Sequence, residues 1–131
     1  MKKLIIFSML SLCKMLSFGQ TLDKKQWTDL YKEYATYRCL CEITDNKIEQ
    51  YYLSNKKDLS FVVHSEFLGM YLEKSDSIGR KFAKSNKSIQ VDNESDLFGM
   101  NTNFKDCLIF YKSKYLDSIA KKSYREFKKQ K

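Results

Sequence analysis

Residues 22–43 read LDKKQWTDLYKEYATYRCLCEI, and this stretch decides the fold class. Its apolar and aromatic residues recur at spacings of three and four, which is typical of one face of a helix. The stripe consists of Trp27, Leu30, Tyr31, Tyr34, Tyr37 or Arg38, and Cys41. Thr21 precedes it and belongs to the residue types that cap helix N-termini. We predict a helix over 22–43 that buries an aromatic face.

A second periodic tract follows a turn predicted at Thr44–Asn46. It runs from about 57 to 84 and predicts one long helix or two shorter ones, with Gly69 as the point where it would break. The β-branched stretch Phe61-Val62-Val63 also fits a strand. Because no partner strand suggests itself, we favour the helix.

A third tract begins at Asn103, which with Asp106 three residues later resembles a capping box. Its apolar positions predict an amphipathic helix to about residue 127. They are Phe104, Cys107 or Leu108, Tyr111, Tyr115 and Ile119. Between the second and third tracts, residues 85–102 lack periodicity, and a loop of this length in a compact domain is usually functional or mobile.

The composition agrees with a helical protein. The chain has 131 residues, no proline and four glycines, too few for a turn-dense β-sandwich, and its 43% hydrophobic residues exclude a disordered chain. We predict an all-α fold, a small bundle of about four helices in a single domain.

The first nineteen residues resemble a secretory signal peptide, with Lys2 and Lys3 before the apolar stretch 4–12 and small residues at Ser17 and Gly19. Cleavage there would leave residues 20–131 as the mature domain and lower the net charge from +8 to +5. We expect export to the periplasm, without stable insertion in the membrane.

Three cysteines remain in the mature chain: Cys39, Cys41 and Cys107. An oxidising compartment permits one disulfide and leaves one thiol. Cys39 and Cys41 lie about 200° apart around a helix and cannot bridge each other, so either one can pair with Cys107. Their spacing does not match that of zinc ligands, and we expect no metal and no cofactor.

Few residues could support catalysis. His64 is the only histidine, and with Cys41 it could form a Cys–His pair. A lone histidine in an apolar tract is more often a half-buried structural side chain. With neither a carboxylate pair nor a glycine-rich phosphate loop in evidence, we expect no catalytic residue and no enzyme.

Two stretches resemble a known family. Tyr34-Ala35-Thr36-Tyr37-Arg38-Cys39-Leu40 looks like the first-helix motif of the type VI secretion system amidase immunity proteins, a tyrosine and short spacer before Cys-Leu or Cys-Ile. Cys107-Leu108-Ile109-Phe110-Tyr111-Lys112-Ser113, followed by Leu116, is similar to their last-helix motif, Cys-Leu/Ile-Asp-Leu-Tyr-His-Ser and then Leu. Ile109 and Lys112 depart from that pattern.

The resemblance implies a periplasmic, all-helical and commonly dimeric protein that is the antitoxin of a toxin–antitoxin pair. Its partner would be a peptidoglycan amidase, a Cys–His peptidase that cuts between D-glutamate and meso-diaminopimelate, whose catalytic groove the inhibitor covers. The resemblance also implies a Cys39–Cys107 disulfide, with Tyr111, Ser113 and Leu116 as helix-packing positions.

In this role, the effector-binding loop would be the aperiodic segment. It carries acids on a basic protein, and carboxylates accept strong hydrogen bonds from a protonated histidine or from backbone amides. The candidate residues are Asp92, Asn93, Glu94, Ser95 and Asp96.

The basic C-terminal tail supports an alternative function. Its cations are Lys121, Lys122, Arg125, Lys128, Lys129 and Lys131. They are typical of a solvated helix end, but they would also suit an exported binding or structural module that uses the tail on acidic envelope surfaces. An exported protein rarely meets nucleic acid, so we expect no nucleic-acid partner.

Overall fold

A computed structural model describes residues 22–55, 61, 64, 67–92 and 94–130. These residues contain five helices: α1 (Lys24–Ile43), α2 (Lys47–Asn55), α3 (Tyr71–Ser85), α4 (Asn103–Lys112) and α5 (Lys114–Lys129). Within these ranges the extended pairing is one isolated antiparallel bridge, Gln90 with Asn101. The predicted all-α bundle is therefore confirmed.

Helix α1 is the centre of the bundle and contacts each of the other four helices. Its N-cap is Asp23, whose carboxylate accepts a hydrogen bond from the backbone N–H of Gln26. In return, the side-chain oxygen of Gln26 accepts from the backbone N–H of Asp23. This reciprocal pair satisfies two backbone donors that the helix leaves free. The predicted start at residue 22 is thus two residues early, and Thr21, the predicted cap, lies outside the described residues.

The core is aromatic, as the stripe on α1 predicts. Trp27 stacks on Phe127 of α5 at 4.3 Å between ring centroids and meets the edge of Tyr71 of α3 at 5.3 Å. Its indole N–H donates to the hydroxyl of Ser123, which lies on α5, at 2.7 Å. The buried indole therefore packs three helices together, and its N–H group is not left without an acceptor.

Helices α1 and α3 approach each other through small residues. A Cβ on Gly79 would lie 2.0 Å from the carbonyl oxygen of Ala35, so glycine is required at this position. One turn earlier, the hydroxyl of Ser75 donates to the carbonyl of Tyr31 at 2.8 Å. Small side chains four residues apart on α3 bring the two backbones into contact.

The middle of the chain differs in part from expectation. The turn at Thr44–Asn46 is confirmed, with positive φ at Asp45 and Asn46, but the helix α2 that follows was not predicted. The break at Gly69 is also confirmed, since its φ is +50° and α3 begins two residues later. Phe61 lies in a turn, whereas Val62 and Val63 lie outside the described residues.

The single helix predicted over 103–127 is wrong, because the chain breaks at Ser113. Ser113 is extended (φ −70°, ψ 141°), and its hydroxyl accepts from the Leu116 amide as the N-cap of α5. Phe110 and Leu116 are both buried, yet a continuous helix would point them about 120° apart. The break lets both side chains face the core.

The disulfide joins Cys39 of α1 to Cys107 of α4, with 5.8 Å between their Cα atoms, and Cys41 is free and buried. The pairing is the one that the resemblance implies. Of the other motif positions, Leu116 is buried, whereas Ser113 acts as a helix cap and not as a packing residue.

Candidate binding loop

The segment between α3 and α4, residues 86–102, is held at its base by one carboxylate. Asp106 Oδ2 accepts from Asn86 Nδ2 at 2.9 Å and from the Ser88 hydroxyl at 2.8 Å, where the loop begins. It also accepts from the Thr102 hydroxyl at 2.9 Å, where the loop ends. The predicted Asn103–Asp106 capping box is therefore wrong: α4 has Thr102 as its N-cap without a side-chain cap, and Asp106 instead fastens the loop.

The hydrogen bonds change the acidity of Asp106. The bond from Ser88 contributes most to lowering its pKa below the ordinary value of 3.8, opposed by desolvation and reinforced by Thr102 and Asn86. The carboxylate is thus held in its charged form, the form that accepts three hydrogen bonds.

Above its base, the loop is a short irregular hairpin. The Val91 amide donates to the Met100 carbonyl at 3.1 Å, and the Thr102 amide donates to the Ile89 carbonyl at 3.2 Å. Gly99 has a φ of +83°, a left-handed conformation that glycine adopts without strain. These bonds give the loop a defined backbone path, so part of its ordering cost is met before any partner binds.

The predicted effector-binding residues lie at the tip. Asp92, Glu94 and Asp96 are exposed, Ser95 is half-buried, and Asn93 lies outside the described residues. Two of them also shape the turn, since Asp92 Oδ1 accepts from the Glu94 amide and the Ser95 hydroxyl accepts from the Leu97 amide. The structure brings these acids together on one accessible turn.

Sequence reasoning missed the apolar part of the loop. Four large side chains are more than half exposed: Ile89, Leu97, Phe98 and Met100. Three more on α4 are exposed as well: Phe104, Leu108 and Ile109. The sequence does show these apolar residues inside an otherwise polar segment, but the prediction of binding residues considered only the charged and polar ones. Exposed apolar side chains concentrated in one segment and the helix after it are typical of a protein-binding surface.

The Cys–His pair considered from the sequence has different partners in the structure. His64 Nε2 lies 3.1 Å from Glu33 Oε2, at the edge of an apolar cavity of about 500 Å³ between α1 and α4. The Cys41 thiol is hydrogen-bonded to the Tyr37 hydroxyl, and burial raises the pKa of the thiol. A nucleophilic cysteine requires the opposite shift.

Two further features concern the described residues as a group. No three of their carboxylate, thiol or imidazole groups come together as metal ligands would. Likewise, none of their helices is long and apolar enough to cross a bilayer. The proposed signal peptide lies outside these residues.

Comparisons with protein families, curated proteins and solved structures found no match to this chain.

Proposed function

We propose that this protein is a periplasmic immunity protein that binds a type VI secreted peptidoglycan amidase and blocks its catalytic groove with the 86–102 loop. The observation that carries the proposal is the loop itself, fastened at its base by Asp106 and presenting exposed apolar and acidic side chains at its tip. The inhibitor would have no catalytic activity and no cofactor of its own.

The chemistry of the tip suits a Cys–His active site. Leu97 and Phe98 offer apolar surface to fill a groove, as the central residues of tight interfaces do. Glu94 and Asp96 lie close to them in the sequence, and their exposed carboxylates can accept hydrogen bonds from a protonated histidine or from backbone amides. A loop whose base is fastened by hydrogen bonds and whose tip carries both kinds of group should lose less conformational entropy on binding than an unconstrained loop.

The scaffold gives independent support. The two motifs that resemble the immunity family each contain one half of the Cys39–Cys107 disulfide. The bridge ties α1 to α4, and Asp106, the residue next to Cys107 on α4, fastens the loop that precedes this helix. The resemblance also implies a homodimer, which light scattering on the purified protein tests directly.

The deciding experiment is inhibition of the amidase. A small Cys–His amidase, sought first among the genes beside this one, is titrated with purified residues 20–131, and cleavage of peptidoglycan stem peptides is followed. We expect stoichiometric loss of amidase activity. An unchanged rate at excess inhibitor would overturn the proposed function.

Two loop variants and a matched control test the site. Leu97→Ala with Phe98→Ala should weaken inhibition at least tenfold, on the scale of hot-spot truncations. The triple replacement Asp92→Ala, Glu94→Ala, Asp96→Ala should weaken it by a comparable factor. The control, Leu53→Ala with Met70→Ala, removes two equally exposed apolar side chains outside the loop and should inhibit like the wild type. Full inhibition by both loop variants would remove the loop from the proposal.

A further inference from the structure

Helix α5 has an outer face made almost entirely of cations. Six basic side chains and one serine occupy an arc of about 120° on this helix, over a length of about 22 Å. All seven are exposed: Lys114, Ser118, Lys121, Lys122, Arg125, Lys128 and Lys129. We call this surface the α5 strip.

The acids of α5 do not neutralise the strip. Asp117 and Glu126 lie at its two flanks and are half-buried. Asp117 pairs with Lys121 at 2.6 Å and is approached by Lys32 of α1, while Glu126 pairs with Lys74 of α3 at 3.2 Å. Within the part of the chain that the structure describes, no salt bridge involves the remaining five cations of the strip.

The inner face of α5 shows that the strip is a separate surface. Leu116, Ala120 and Ser123 are buried against the core, so the helix is fixed with its cations outward. Packing alone requires no basic residue at the positions of the α5 strip, since any polar residue would be well solvated on an outer helix face. Six cations without an intervening acid therefore add a charge pattern that the fold does not need.

We propose that the α5 strip docks the protein on an anionic phospholipid surface. Clusters of four to eight cations on an amphipathic helix bind such surfaces electrostatically. The strip is a convex face of a packed helix, and Tyr115, 63% exposed at its edge, is a residue type that settles at membrane interfaces. Five of its six cations are lysines, which bind phosphates as point charges and not with the planar pairing that arginine gives to base edges.

The strip binds at the surface and does not insert. Its outer face carries no large apolar side chain other than Tyr115 at the edge. Binding should therefore require anionic lipid and should weaken as salt screens the charges. The loop at residues 86–102 belongs to a different segment, so the strip can be substituted without changing any residue of the proposed inhibitory loop.

The test is flotation with phosphatidylcholine vesicles, prepared with and without phosphatidylglycerol. The protein is used in the form that the cell produces, with its N-terminus established by mass spectrometry. We expect it to float only with phosphatidylglycerol and to be released by high salt. Failure to float with phosphatidylglycerol would overturn the proposal.

Two variants with the same net charge distinguish binding by the α5 strip from attraction caused by the overall net charge of the protein. The strip variant carries Lys114→Gln, Lys122→Gln, Arg125→Gln and Lys129→Gln. The control carries glutamine at four exposed lysines elsewhere: Lys47, Lys81, Lys87 and Lys105. The strip variant should bind at least tenfold more weakly, since each cation near an anionic surface contributes about fivefold, whereas the control should stay within about threefold of the wild type.

Equal losses in the two variants would overturn the proposal, because bulk charge would then explain the binding. Tighter binding to duplex DNA than to vesicles at equal phosphate concentration would overturn it as well. The strip variant should inhibit the amidase like the wild type, so failure of the proposed function and failure of docking give different results.

Discussion

The contact between α1 and α3 and the loop at residues 86–102 are built in opposite ways. At the helix contact, Gly79 brings the α3 backbone against the Ala35 carbonyl, and the surroundings are buried. At the loop, three polar side chains converge on Asp106 while the tip exposes Leu97 and Phe98. The first arrangement provides stability, and the second presents a surface at low cost to stability. Changes at the two regions should therefore affect different measurements.

Removing the disulfide should have the largest effect. Replacing Cys39 and Cys107 together by alanine should lower the free energy of unfolding by about 4 kcal/mol, because the bridge closes a loop of 68 residues. Urea unfolding followed by circular dichroism measures the loss. Cys41→Ala, at a free and buried thiol, is the control and should cost much less. Equal losses at the two sites would contradict the assigned pairing.

The close contact of α1 and α3 should be broken by one methyl group. Gly79→Ala should lower the free energy of unfolding by about 3 kcal/mol, since the added Cβ meets a backbone carbonyl and the helices must separate. Ser77→Ala lies on the exposed side of the same helix and should leave stability within about 0.5 kcal/mol. If Gly79→Ala were as stable as Ser77→Ala, the helices would be farther apart than described.

The ion pairs beside that contact should contribute less to the free energy of unfolding than the contact itself. Arg38 is buried and pairs with Glu49 of α2 and Asp76 of α3. Arg38→Met should cost about 2 kcal/mol, because both carboxylates lose their partner but remain partly solvated. Arg80→Met, at a half-buried arginine that pairs with Asp76 and Glu42, should cost about 0.5 kcal/mol. Thermal unfolding of both variants measures these losses of stability. A larger loss for Arg80→Met than for Arg38→Met would contradict the prediction.

The smallest effect on global stability should come from the base of the loop. Asp106→Asn removes the charge that accepts from Ser88, Asn86 and Thr102, so the amides of Val91 and Thr102 should exchange faster while the melting temperature hardly changes. Hydrogen exchange by NMR measures this. Asp92→Asn at the tip is the matched control and should leave both amides protected.

The same carboxylate gives the loop a pH dependence. Because the pKa of Asp106 is lower in the folded protein than its ordinary 3.8, its contribution is fully present above that value and is lost as the pH falls through the folded pKa. Exchange of the Val91 and Thr102 amides, corrected for the intrinsic rate, should rise only in that acidic range. Loss of protection near pH 6 would contradict the role of Asp106.

Sequence patterns located the helical regions of the first and last tracts, but they did not give every helix boundary. The spacing of Trp27, Tyr31 and Cys41 predicted α1 to within two residues of its start, and Gly69 marked a true break. Helix α2 was missed because nine residues are too few for a clear pattern. The break at Ser113 was missed because Phe104 to Ile119 fits a helical period locally, although Phe110 and Leu116 cannot share one face.

The loop shows the same division between local and tertiary information. Its position and its acids were predicted from lost periodicity and from composition. The role of Asp106 was not, since a carboxylate three residues after a polar residue also fits a capping box, and only the approach of Ser88 and Thr102 in space distinguishes the two. The exposure of Leu97 and Phe98 could not be predicted either, because an apolar residue alone does not reveal whether the fold covers it.

The sequence by itself determined the all-helical class and the aromatic face of α1, because these depend on local periodicity and on residue type, and the resemblance of two of its stretches implied the Cys39–Cys107 pairing. Only the tertiary structure decided where the C-terminal tract breaks, what Asp106 binds and whether the apolar side chains of the loop are covered. Each of these depends on distances between segments far apart in the chain, which a local pattern cannot encode.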